Sequence, residues 1–95
     1  SNVITIDLKK KKFKQWTQAL NPAIDPGDLV ENDVVRYRSF DGLEIPSILY
    51  KPKGASASNP APAVVLVHGG PGGQTRAGYS AMVQHLVNHG YAVLG

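Results

Sequence analysis

The sequence predicts an α/β fold, a β-hairpin followed by a βαβ unit, and three stretches carry that expectation. Residues 34–50 hold two β-rich runs on either side of an Asp41-Gly42 pair, a strong short-range hairpin signal. Residues 63–67, AVVLV, are apolar without alternation, as in a strand covered on both faces. Tyr79, Met82, Val83, Leu86 and Val87 then recur at i, i+3, i+4, i+7 and i+8, one face of an amphipathic helix.

Taken in order, VITIDL (residues 3–8) alternates apolar and polar side chains, the period of a half-buried strand. KKKKFKQWTQAL follows as a lysine-rich turn and then a second strand or a short irregular segment; Phe13 and Trp16, three apart, would equally share a helix face. NPAIDPGDL (residues 21–29), with two prolines and a Pro-Gly pair, reads as a loop and marks the main boundary of the chain. VVRYRSF (residues 34–40), a two-residue Asp41-Gly42 turn and LEIPSILYKP make the hairpin. Pro46 lies inside the second strand and lacks a ladder donor, so that strand is expected at a sheet edge or bulged. GASASNPAP (residues 54–62) is a small-residue loop. AVVLV is expected as a central strand with helices on either side. The helix ends at Asn88-His89-Gly90, with glycine in the C-cap region, and YAVL (residues 91–94) begins a further strand.

Composition narrows the function classes. The chain has 95 residues, 42% of them apolar, enough for a thin core. Net charge is +3, but five of the ten basic residues are Lys9, Lys10, Lys11, Lys12 and Lys14, a pattern of a solvated turn. No aromatic residues interleave with the four-lysine run Lys9–Lys12 to stack bases, so nucleic acid is not an expected partner. The absence of cysteine rules out disulfides and thiolate metal sites and fits a reducing, cytoplasmic setting. No run of 18 apolar residues is present and no secretory signal opens the chain, so no membrane partner is expected. The Ser-Asn start fits a fragment or an expression scar.

The stretch that asks for chemistry is HGGPGG, residues 68–73, directly after the apolar strand. A phosphate-binding P-loop needs a lysine after its glycines, and none follows. A dinucleotide fingerprint needs G-x-G-x-x-G, whereas Gly70, Gly72 and Gly73 are spaced otherwise around Pro71. A merely flexible turn is the plain alternative. The reading that uses every feature is an oxyanion hole, in which fixed backbone N–H groups stabilise the charge of a tetrahedral acyl intermediate. Glycines let such a donor approach its substrate, and the carboxyl end of a strand is where open α/β sheets place ligands. His85 and His89 stand at i, i+4, a metal-capable spacing, but no carboxylate or third ligand accompanies them, so no metal site and no cofactor are expected.

VRYRSFDGLEIPSILYKP, PAVVLVHGGPGGQ and HGYAVLG together resemble the opening of the catalytic domain of the prolyl oligopeptidase family, notably its acylaminoacyl-peptidase and dipeptidyl-aminopeptidase-like members. The resemblance is strong over residues 34–95 and weaker over 3–33. It implies that residues 34–95 are the N-terminal part of an α/β-hydrolase sheet, and residues 1–33 the end of a β-propeller with its linker. It implies a serine peptidase parent acting on oligopeptides, with the backbone N–H of Gly70 as one oxyanion donor, Gly69 clearing its approach and His68 orienting the loop. The family's G-x-S-x-G elbow is missing here: Ser39, Ser47, Ser56, Ser58 and Ser80 all lack it, and Ser80 reads instead as a helix N-terminal residue. The 95-residue chain is thus expected to be inactive by itself, and to self-associate as a homo-oligomer through an uncovered sheet face. The alternative from another class is a small noncatalytic α/β binding module.

Overall fold

The computed structural model describes residues 2–95, which form a two-stranded sheet and a four-stranded sheet. Strands β1 (Ile4–Asp7) and β2 (Lys12–Gln15) make the first, an antiparallel hairpin. Its turn is set by Asp7, whose Oδ1 accepts from the N–H groups of Lys9 and Lys10 at 3.0 Å each. Lys11 takes a left-handed φ of 51°. Lys9, Lys10 and Lys11 are therefore in a turn, while Lys12, Phe13 and Lys14 lie on a strand rather than a helix. Every residue of both strands is exposed, Ile6 at 67% and Phe13 at 75%. The expected half-burial is not found: the alternation sorts side chains onto two faces, but neither face meets a covering layer.

The loop over 21–29 holds one short regular piece. Asp25 caps a single 3-10 turn, Pro26–Asp28, by accepting from the Gly27 N–H at 2.8 Å. Strand β3 (Asn32–Arg38) follows and pairs antiparallel with β4 (Glu44–Tyr50). The connection differs from the expected two-residue turn. The Ser39 N–H donates to the Leu43 carbonyl at 2.8 Å and the Gly42 N–H to the Ser39 carbonyl at 3.0 Å, which leaves Phe40, Asp41 and Gly42 as a three-residue loop. Gly42, at φ 84°, takes the left-handed position that ends such a loop.

Strand β5 (Ala63–Val65), helix α1 (Ala81–Asn88) and strand β6 (Ala92–Leu94) complete the second sheet, in the order β3-β4-β6-β5. β6 pairs parallel with β5 and antiparallel with β4, so β5-α1-β6 is the expected βαβ unit. Two expectations about β5 fail. It is the outermost strand of this sheet rather than a central one, and its apolar run is exposed, Val65 at 65% and Val67 at 87%. The reason is geometric: the only helix α1 among the described residues covers one face. Nor is β4 an edge strand. It tolerates Pro46 because β6 meets it over Ile48, Leu49 and Tyr50 alone, and the side of β4 where Pro46 lacks its donor has no partner at that point.

Helix α1 is bounded as its sequence suggests. The Ser80 hydroxyl caps it, accepting from the Val83 N–H at 3.4 Å. At the other end Gly90 takes φ 86°, its N–H donating to the Val87 carbonyl and that of Tyr91 to the Leu86 carbonyl, a Schellman closure. The buried face is Val83, Gln84 and Val87, with Leu86 half-buried. Tyr79 precedes the cap and Met82 points outward, both more than half exposed. Gln84 takes their place at the core. Its amide pairs with both backbone groups of Val30, accepting at 2.9 Å and donating at 2.8 Å across 54 residues.

The core is small: Tyr50, Val83, Val87 and Val93, flanked by Val30, Ile48, Leu66 and Leu86. The radius of gyration is 16.6 Å, against about 12 Å for a compact domain of this length, because the β1–β2 hairpin stands away from the larger sheet.

Two outcomes follow. Replacing Gln84 by Ala strands two Val30 backbone groups and should lower stability by about 1–3 kcal/mol in a urea titration followed by circular dichroism. The uncovered face bearing Val65 and Val67 should make the 95-residue chain self-associate in light scattering across a concentration series; a monodisperse monomer would show that face to be harmless.

Candidate functional site

Where β5 ends, the chain turns into the glycine loop. The pairing to β6 continues one residue beyond β5, with the Leu66 N–H donating to the Leu94 carbonyl at 2.8 Å. Val67 and His68 then leave the sheet. Gly70, Pro71, Gly72 and Gly73 form a tight turn closed by the Gly73 N–H donating to the Gly70 carbonyl at 3.0 Å, with proline at the second position, where its fixed φ suits a turn.

The four glycines of this loop answer to different constraints. Gly70 has φ 73°, a left-handed conformation that costs a side-chain-bearing residue about 1–2 kcal/mol. Gly73 is required by space: a Cβ there would lie 2.8 Å from the Gly69 carbonyl oxygen and 3.1 Å from His68 Nδ1. Gly69 and Gly72 meet neither constraint, since a Cβ on either would have nothing within 4 Å and neither has a positive φ. Their bareness keeps the outer surface of the loop clear. Among the described residues, the N–H groups of Gly69 and Gly70 donate to no protein acceptor. His68 is exposed, its Nδ1 3.5 Å from the Gly69 oxygen, so its ring lies against the backbone of its own loop.

Beside the loop lies a concavity of about 450 Å³ on the sheet, where the ends of β5 and β6 meet the first half of β4. Tyr37, Ile45, Ser47, Val67, His68 and Thr75 are among the residues that line it. Strand pleating puts Tyr50 and Ile48 toward α1, and so turns Ser47 and Ile45 to the opposite face. Thr75 brings the loop back across the end of β6: a Cβ on Gly95 would lie 2.7 Å from Thr75 Cγ2. Further along, the Tyr50 hydroxyl holds the backbone of Gly78, donating to its carbonyl at 2.7 Å.

The sequence-derived candidates thus fall together in one place, with Gly69 and Gly70 at the loop and His68 at the rim of the concavity. The other histidines are elsewhere. His85 and His89 stack on the helix with ring centroids 4.2 Å apart, and His89 Nδ1 lies 2.8 Å from the His85 carbonyl. Among the described residues no three His, Cys, Asp or Glu side chains gather where a metal could bind. Nor is any serine hydroxyl hydrogen-bonded to a histidine there. Sequence reading passed over Tyr50, Thr75 and Gln84. Tyr50 and Gln84 have only their burial to mark them, and Thr75 only its proximity to a glycine 20 positions away in the chain.

No family model matches the chain. Dipeptidyl aminopeptidase BIII of Pseudoxanthomonas mexicana is 39% identical in an alignment 79 positions long that covers 77% of this chain and 12% of that protein. The chain therefore spans about an eighth of the length of this curated relative. The crystal structure of a puromycin hydrolase mutant complexed with PGG matches the fold with a TM-score of 0.71 at 24% identity, over 96% of this chain and 14% of that one.

The two crowded and uncrowded glycines make a clean contrast. Gly73→Ala should displace the amide resonances of residues 68–70 and lower the melting temperature, because its methyl meets backbone at 2.8 Å. Gly72→Ala should leave both nearly unchanged. Equal effects would mean that the loop does not fold back on itself as described.

Proposed function

The chain belongs to the prolyl oligopeptidase family, and from that premise we propose that it supplies the oxyanion loop of a serine peptidase. Residues 34–95 are read as the opening of the α/β-hydrolase domain and residues 1–33 as the end of a β-propeller and its linker. The order hairpin, strand, loop, helix, strand supports the first reading. The stand-off of the β1–β2 hairpin, with its apolar side chains bare, supports the second, since a propeller strand pair takes its covering layer from neighbouring blades.

The observation that carries the proposal is Gly70. Its left-handed conformation turns the backbone at the carboxyl end of a strand, its N–H has no protein acceptor among the described residues, and the concavity is lined by His68 and Gln74 on either side of the Gly69–Gly73 stretch. Attack of a serine hydroxyl on a peptide carbonyl moves the double-bond electrons onto oxygen. An N–H already aimed at that oxygen stabilises the charge without reorganising. Gly69 and Gly72, free of side chains without an internal need to be so, leave room for the substrate to approach. The nucleophile and its base come from the rest of such a protein, because no G-x-S-x-G elbow lies within these residues. The 95-residue chain by itself is then a scaffold and half of an oxyanion hole, without peptidase activity.

The test must remove the N–H donor and keep the backbone path. Gly70→Pro does not qualify, since proline fixes φ near −65° where the loop has 73°. An amide-to-ester substitution at Gly70 in the full-length protein deletes the N–H while keeping the backbone path. It should lower kcat on the order of 10²–10³-fold, with KM little changed. A kcat equal to that of the unsubstituted protein would remove Gly70 from the reaction.

A further inference from the structure

We propose that Tyr50 is a positioning residue for the glycine loop, its hydroxyl fixing the exit of the segment 68–78; the catalytic consequence rests on the oxyanion reading above. The hydroxyl contacts both backbone groups of Gly78, donating to the carbonyl at 2.7 Å and accepting from the N–H at 3.3 Å. A phenol has one proton to donate and lone pairs to accept, so both contacts are made at once.

What makes this a tether is the asymmetry between its ends. Tyr50 is 5% exposed, its residue belongs to the core with Val83, Val87 and Val93, and its backbone sits in β4 between Asn32 of β3 and Val93 of β6. The hydroxyl is therefore placed by the sheet and the core. Gly78 belongs to exposed, irregular chain. Between the Gly70–Gly73 turn and the Ser80 cap, the segment is held to the sheet by Thr75 against Gly95 and by Gly78 on Tyr50. The other end of the loop is the strand β5 itself. Tyr50 thus connects the covered face of the sheet to the far end of the loop whose near end carries Gly70.

The same asymmetry separates positioning from simple stability. If the hydroxyl is lost, the ring still fills the core, and the exposed groups of Gly78 turn to water. The loss is then chiefly one of loop placement. A donor displaced by a fraction of an ångström stabilises a developing charge less well, while ground-state binding is little affected.

Tyr50→Phe in the full-length protein is the experiment. Hydrogen exchange should accelerate at the Gly73 and Gly78 amides, the two of residues 68–78 that donate to protein acceptors, and stay unchanged over the β3–β4 hairpin, and kcat should fall about tenfold with KM within about twofold. Unchanged exchange at these two amides overturns the proposal whatever the activity does. Faster exchange with unchanged kcat, in a protein whose kcat the Gly70 ester does lower, overturns it as well. Faster exchange with the ester also silent supports the tether and counts against the oxyanion reading alone. If the variant does not fold, the wild-type Gly78 amide decides: exchange at the rate of an unstructured peptide overturns the tether, and protection supports it.

Discussion

The larger sheet depends on Val93 in β6, one of its two three-residue strands. Val93 pairs with Tyr50 on one side and with Val64 on the other, and is 1% exposed beneath α1. With Leu94, which pairs with Leu49 and Val65, it joins the antiparallel hairpin to the parallel βαβ unit, so both halves of the sheet take their register from β6. Tyr50 and Val93 are neighbours in that ladder, and Val83 and Val87 cover them. A core this small gains little from area alone. Its effect is positional: it holds β6 in place, and β5, paired to β6, leads directly into residues 68–73.

Two polar ties extend the reach of that core. Gln84 leaves the helix face to pair with both backbone groups of Val30, so the segment entering β3 is joined to α1. Tyr50 leaves the sheet to hold Gly78. Each spends a buried side chain on exposed or half-exposed backbone rather than on further apolar contact, and each joins segments far apart in sequence. The helix that follows the loop and the linker that precedes the sheet thus share one packed unit, while the β1–β2 hairpin lies outside it.

The glycine loop shows how one composition serves several physical needs. Gly70 supplies a φ that side-chain-bearing residues avoid, Gly73 supplies room for two carbonyl oxygens, and Gly69 and Gly72 supply open surface. Proline between them limits the conformations that so much glycine would otherwise allow. The loop is open on its outer side, at Gly69 and Gly72, and crowded on its inner side, at Gly73.

Local rules were sufficient for much of this protein. Asp7 before the lysines, Asp41-Gly42, Ser80 and Gly90 each act on backbone within a few residues, so the turns and the helix ends are legible in the chain itself. HGGPGG after an apolar strand likewise marks the candidate site. What the chain could not disclose is which surfaces meet. AVVLV has the composition of a covered central strand, yet here it lies at the edge of the sheet with Val65 and Val67 bare, because covering is a property of neighbours and not of the strand. VITIDL alternates correctly and is nowhere buried for the same reason. Gln84 reads as a polar helix residue and becomes part of the core because Val30 arrives beside it from 54 positions away. Periodicity sorts side chains onto faces; only the tertiary structure decides what each face touches, since that depends on contacts between segments with no local signal for one another.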